Sequence, residues 1–285
     1  MADGKNMIKR EKIKIPTYEV GKPEELPMFF ERRNYQGASG KVYPLPFSSA
    51  ISDQKSDKEY DAYILENKYI KATLLPEIGG KVHSILDKTN NYDAIYHNKV
   101  IKPAMVGLCG PWVAGGIEFN WPQHHRPTTF MPVKSEEKGE TVYMGEFDNF
   151  FSMHGSVGVS IKEDRNYLKA HVIVYNSTPF RRRFMWWANT AVEINQEYAV
   201  VFPPDVSSVN DHDRRCVLSW PIAKGTYKTV RPWNYGEGTD IHYTKNIIAP
   251  TSMMVSKDES NFDFVCGYDH KKDAGVAMIA NHHVA

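Results

Sequence analysis

A chain of 285 residues, 41% hydrophobic and 24% charged, has enough apolar content for a packed core, which excludes intrinsic disorder. Its net charge of +1, with no long Lys/Arg run, offers no electrostatic attraction for phosphate backbones or anionic lipid. Neither nucleic acid nor a membrane surface is therefore an expected partner.

The N-terminus, MADGKNMIKREKIKIP, is polar and basic without an apolar h-region, and no later stretch approaches 18 continuous apolar residues. Cys109, Cys216 and Cys266 are odd in number and widely spaced, which fits neither a disulfide framework nor a thiolate metal cage. The expected setting is cytoplasmic, or periplasmic if a signal peptide has been removed. Residues 1–58 are weakly patterned and are expected to form an arm or accessory strands on a main body spanning 59–285. That body opens with strand candidates at 59–67, 69–76, 81–88 and 93–98.

The densest set of potentially functional side chains follows in CGPWVAGGIEFNWPQHHRPTTF, residues 109–130. Gly115 and Gly116 allow close backbone approach and Pro111, Pro122 and Pro127 fix bends, so no regular buried strand is expected here. A proline-braced loop would converge Glu118, Asn120, Gln123, His124, His125 and Arg126 on a polar ligand, with Trp112 or Trp121 as a stacking surface. A hydrogen-bonded surface loop without any ligand could carry the same residues.

Beyond a strand candidate at 141–147, three runs at 155–163, 167–175 and 182–194 are separated by short turns and are expected to form an antiparallel meander. The second of those turns, Asn176-Ser177-Thr178, is also a glycosylation sequon but reads as a plain turn. In RRFMWWANTAV, period-two geometry puts Phe184, Trp186, Ala188, Thr190 and Val192 on one side and Arg183, Met185, Trp187, Asn189 and Ala191 on the other. The second side suits the floor of a sugar site; an interface between sheets with one buried amide is the alternative. Later candidates lie at 198–203, 215–220, 227–233, 263–269 and 275–281.

So many short strands exceed one open sheet, and the fold class is all-β, a sandwich or barrel of antiparallel strands. The adjacent pairs His124-His125 and His282-His283 would point to opposite faces of a strand, so no metal is expected. Asp205, Asp211 and Asp213 lack EF-hand spacing and read as a solvated loop. No cofactor is expected either, since no phosphate-cradling glycine loop is present. Aromatics reach 12%, and Trp112, Trp121, Trp187 and Trp233 stand among hydrogen-bonding residues. Such rings suit the C–H faces of sugars, or else belong to the core. The ending ANHHVA follows an apolar strand directly and looks cut, which points to a further C-terminal region.

With these residues in view, the chain resembles the galactose-mutarotase-like β-supersandwich superfamily. LLPEIGGKVHSILDK (74–88) is similar to an early strand-turn-strand of aldose and hexose-phosphate epimerases, and GGIEFNWPQHHRP and MHGSVGVS (153–160) are similar to two segments of the hexose-6-phosphate epimerases. FMWWANTAV falls where those proteins have a strand ending in Leu-His-Thr-Tyr-Phe. GGIEFNWPQHHRPTTF also looks like the signature of an uncharacterised branch often found ahead of tetratricopeptide repeats in long bacterial proteins. The resemblance implies a supersandwich over roughly residues 60–281, with His154 at the sugar and a repeat region following.

Two departures matter. Asn189 stands where mutarotases place a catalytic His, and an amide is no general acid; after Asp273 the chain offers no carboxylate for the late general base. Glycoside hydrolysis requires two carboxyl groups about 5–9.5 Å apart. Glu118 is the best single candidate, with Glu193, Glu237 and Asp211 as unranked partners. The expectation is thus a domain that binds a mono- or oligosaccharide and acts at its anomeric centre as a glycosidase or epimerase. Glu118 and His154 would move protons, while Trp112, Asn120, Gln123, His124, His125, Arg126, Arg183, Trp187 and Asn189 hold the sugar. The alternative is a non-catalytic binding or sensing module.

Overall fold

The computed structural model describes residues 7–25, 45–122, 126–256 and 258–281. Its described residues are all-β with antiparallel sheets, apart from one turn of 3-10 helix at Thr244–Asn246. They divide into two compact units, Met1–Val192 and Glu193–Ala285. The expected boundary at residue 58 falls inside a continuous strand, and the main body expected over 59–285 is split after Val192.

The first unit is built from β1 (Ile8–Val20), β2 (Ile51–Glu66), β3 (Ile70–Leu75), β4 (Lys81–Asp87), β5 (Tyr92–Asp93), β6 (Ala104–Gly107), β7 (Gly110–Trp112), β8 (Ile117–Asn120), β9 (Lys134–Lys138), β10 (Thr141–Asp148), β11 (Met153–Ile161), β12 (Leu168–Asn176) and β13 (Trp187–Thr190). One sheet runs β1-β2-β3-β4-β8-β13, with β5 added on β4; a second runs β12-β11-β10-β9. The 13-residue β1 lies in the stretch whose sequence pattern is weak. Its Ile13 and Ile15 alternate with exposed Lys12 and Lys14, and charged side chains suit an edge strand because they discourage further pairing.

The two sheets face each other across one core. Leu65, Ala72, Leu74, Val82, Ile85 and Phe119 of the first sheet pack with Val142, Met144, Val157, Val159 and Ile161 of the second. Burying each such Leu, Val or Ile side chain contributes about 1.5–3 kcal/mol, so this layer carries the unit. On the far side of the first sheet, Tyr60, Ala62 and Ile64 pack with Ile15, Leu75, Ile101 and Val113.

Two sequence expectations are corrected. Ile117–Asn120 is a regular and largely buried strand despite the flanking glycines and prolines. It forms because Ile-Glu-Phe-Asn alternates apolar and polar residues, and because it fills the place between β4, through Val82 opposite Ile117, and β13. Gly116, at φ +73°, makes this entry possible: a Cβ there would stand 2.3 Å from the Val82 carbonyl oxygen. The expected meander is also different, since β12 pairs with β11 only and β13 crosses to β8 in the other sheet. Trp186 and Ala188 drive that crossing by packing on the core, with Trp186 stacked 5.8 Å from Phe119. Residues 182–186 and 191–194 are not strand, so β13 is four residues long rather than thirteen.

Gly155 in β11 lies against the buried Trp121, and a Cβ would come within 2.3 Å of its ring. Gly155→Ala should therefore displace Trp121 and destabilise the protein by about 1–3 kcal/mol, the usual range for overpacking. A urea midpoint equal to wild type would contradict this contact.

The second unit contains β14 (Tyr198–Val201), β15 (Ser208–Asp211), β16 (Cys216–Ser219), β17 (Ile222–Ala223), β18 (Thr226–Tyr227), β19 (Trp233–Asn234), β20 (Thr239–Asp240), β21 (Met253–Met254), β22 (Phe264–Asp269) and β23 (Ala274–Ile279). They form the small sheets β14-β22-β23, β16-β15-β21, β17-β20 and β18-β19. Val206, Val209, Leu218, Ala223, Tyr235 and Ile241 make its core. The solvated loop expected around three aspartates is corrected at Asp211, which ends β15 and is buried; all three have protein donors, Asp205 accepting from Ser260 and Asn261, Asp211 from Arg214 and Thr251, and Asp213 from Arg231.

Candidate functional site

Strand alternation sorts the side chains of β8 and β13. Ile117 and Phe119 join Trp186 and Ala188 at the core, so Glu118 and Asn120 occupy the outer face. The antiparallel register sets Asn189 directly opposite Glu118, and Trp187 opposite Asn120. Four of the expected site residues thus share one face of two neighbouring strands. Asn189 is exposed, Trp187 half-buried, and Glu118 and Asn120 buried.

Glu118 is 5% exposed, and both its oxygens are engaged. The Trp112 indole N–H donates to Oε2 at 2.8 Å, and the Asn120 amide donates to Oε1 at 2.6 Å. Asn120 in turn accepts the Arg126 backbone N–H at 2.7 Å. The Arg126 guanidinium is 5% exposed; it donates to the carbonyls of Phe119 at 3.1 Å and Gly79 at 2.5 Å, and pairs with Glu146 at 3.1 Å. Glu146 also accepts from the Thr128 hydroxyl. The result is one continuous polar network in which each buried charge has a partner.

Lys81 completes it. Because Val82 lies opposite Ile117, the next residues along the two strands, Lys81 and Glu118, are neighbours. The Lys81 ammonium donates to the carbonyls of Val113 and Gly115, each at 2.8 Å. Burial lowers its pKa from 10.5 to about 8, opposed by the negative charge of Glu118 and assisted by Arg126. His83 sits next along β4, its ring 5.1 Å edge-on from His97, and burial together with His97 and Lys81 pulls its pKa down to about 4.

The Lys81 shift carries a pH dependence. In the unfolded chain the amine stays protonated up to about pH 10.5, whereas in the fold it releases its proton near pH 8. Between those values the unfolded state binds more protons, so the burial penalty present below pH 8 is relieved as pH rises. Stability should gain about 3 kcal/mol across this window relative to Lys81→Met, in which the contribution is absent. Urea denaturation of both proteins at pH 7.5 and 10 checks the difference; parallel pH profiles would refute it.

The structure does not bring every expected residue here. His154 lies on β11, whose Val157, Val159 and Ile161 face the core, so it points from the opposite outer face of the sandwich, where it is exposed beside Phe147 at 4.7 Å. His154 and Glu118 therefore do not meet, because β11 and β8 belong to different sheets. Arg183 is exposed and precedes β13, so strand alternation does not hold it on the Asn189 side. Gln123, His124 and His125, like the pair His282-His283, fall outside the described residues.

Comparison with known proteins bears on the same segment. The model of a domain of unknown function, DUF5107, matches residues 38–285. The chain belongs to the DUF5107 family. Among solved structures, a TPR-domain containing protein from Parabacteroides distasonis ATCC 8503 is similar to the DUF5107 chain with a TM-score of 0.76 and 24% identity. That likeness, which concerns the fold, covers 96% of this chain and 44% of that one, so this chain spans less than half the length of the protein it matches.

Within the DUF5107 domain, Lys81, His83, His97, Thr128 and Glu146 are site neighbours that the sequence argument passed over. Glu146 did leave a signal. It continues the side of β10 that carries Val142 and Met144 into the core, and a carboxylate on an apolar face needs a buried cation. Lys81 stands inside the Gly-Gly-Lys motif without any pattern that marks it as buried.

Proposed function

We propose that this domain binds carbohydrate through the outer face of the β8–β13 pair. The observation that carries the reading is the register: Asn189 opposite Glu118 and Trp187 opposite Asn120, with the Trp112 indole tied to Glu118. An exposed amide offers both a donor and acceptors to sugar hydroxyls, and neighbouring indoles offer an apolar plane to the ring. Glu118 serves as an anchor, since its two oxygens already accept hydrogen bonds that fix Trp112 and Asn120.

Recognition fits this geometry better than chemistry at an anomeric centre. Proton transfer by Glu118 and His154 together requires them on one face, and they lie on opposite faces. The likeness of the sequence to the galactose-mutarotase-like superfamily supports the choice of a sugar, while Asn189 in place of a His supports binding over turnover. As part of the same reading, the domain is a cytoplasmic sensing module joined to a tetratricopeptide-repeat region.

Calorimetric titration with glucose, galactose, N-acetylglucosamine and their short oligosaccharides tests the proposal. At least one should bind saturably, and Asn189→Ala should weaken it about tenfold, the worth of a hydrogen bond or two, without shifting the melting temperature. Absence of binding across the panel overturns the reading. Loss or exchange of anomeric proton signals in the presence of enzyme-level protein would replace it with the catalytic one.

A further inference from the structure

The second unit carries an open cavity of about 640 Å³, within the size range of small-molecule sites. Its walls are largely apolar, among them Phe202, Trp220, Ile241 and Met253, and the rings of Phe202 and Trp220 stand 4.7 Å apart at 55°. Three polar side chains reach it: His242, Thr244 and Thr251. Both threonines are committed, Thr244 donating to the Tyr198 carbonyl at 3.2 Å and Thr251 to the Asp211 carboxylate at 2.5 Å.

His242 is different. Its Nδ1 lies 2.5 Å from an Asp240 carboxylate oxygen, which can only accept, so Nδ1 holds a proton and Nε2 is the ring nitrogen left to meet a ligand. An apolar cavity with aromatic walls and one fixed ring nitrogen selects a particular chemistry. We infer that this cavity binds a flat aromatic alcohol, its ring against Trp220 and Phe202 and its hydroxyl donating to His242 Nε2. A sugar does not suit it, because most of its hydroxyls would be buried without partners. The site shares no residue with the carbohydrate face and stands or falls independently of it.

Ligand-observed NMR with 2-naphthol, and with naphthalene as the partner lacking the hydroxyl, tests the assignment on the whole chain. One saturable site for 2-naphthol is expected. His242→Phe should weaken it about tenfold, equivalent to 1.4 kcal/mol, and leave naphthalene unchanged. His242→Gln, which keeps an acceptor oxygen, should retain most of the affinity. Ala249→Trp, which fills the cavity, should abolish both ligands while circular dichroism stays that of wild type. Equal binding of the two probes, binding that survives Ala249→Trp, or self-association that shuts 2-naphthol out would each overturn the inference.

Discussion

Glu118→Ala should lose about 4 kcal/mol of stability together with all measurable sugar binding. The substitution removes the acceptor of two buried donors, the Trp112 indole and the Asn120 amide, each worth about 1–3 kcal/mol when orphaned. It also leaves the Lys81 ammonium buried without its neighbouring negative charge, and an uncompensated buried cation alone is worth about 3–5 kcal/mol. Even the lower sum is not reached, because Lys81 keeps its two carbonyl acceptors and can release a proton, which removes most of the cation's share. Glu118→Gln should fall between, since one amide oxygen still accepts. The diagnostic experiment is a double-mutant cycle with Lys81→Met: if Glu118 and Lys81 compensate each other, the double variant recovers more than about 1 kcal/mol over the additive value. Additivity in urea denaturation at pH 7 would show that the two charges do not act on each other.

Arg126→Met is the second large effect, at about 3–4 kcal/mol. One guanidinium satisfies the Phe119 and Gly79 carbonyls and the Glu146 carboxylate, and its removal leaves a largely buried anion with, among the described residues, only the Thr128 hydroxyl. Arg126→Lys should recover little, because a point cation cannot reach three acceptors in a planar fork. Arg126→Met combined with Glu146→Gln should recover part of the loss, since the stranded charge is gone. The Arg126 backbone N–H still reaches Asn120 in every variant, so sugar affinity should follow stability here rather than collapse as it does at Glu118. Denaturation midpoints beside calorimetric titrations separate the two behaviours.

Much of the fold is legible because strand alternation is a local property. The runs at 69–76, 81–88, 141–147 and 167–175 each coincide with a strand to within one or two residues, since apolar residues cluster there between turn residues and, in the last run, repeat every second residue. The segment at 109–130 was harder. Glycine and proline on either side suggest a loop, and only the presence of two open strand edges, on β4 and β13, turns Ile117–Asn120 into a strand. The same holds for 227–233, whose ends belong to two strands, β18 and β19, that pair with each other.

By itself the sequence determined the all-β class and most strand positions, and it singled out Glu118, Asn120, Trp187 and Asn189. Tertiary structure alone decided that these four share a face while His154 does not, and that Lys81 and Glu146 stand beside them. The physical reason is range: side-chain alternation is set by neighbours two residues away, whereas the pairing of β13 with β8, which sets Trp187 opposite Asn120 and Thr190 opposite Ile117, is set by which sheet edge is left open after the core has packed.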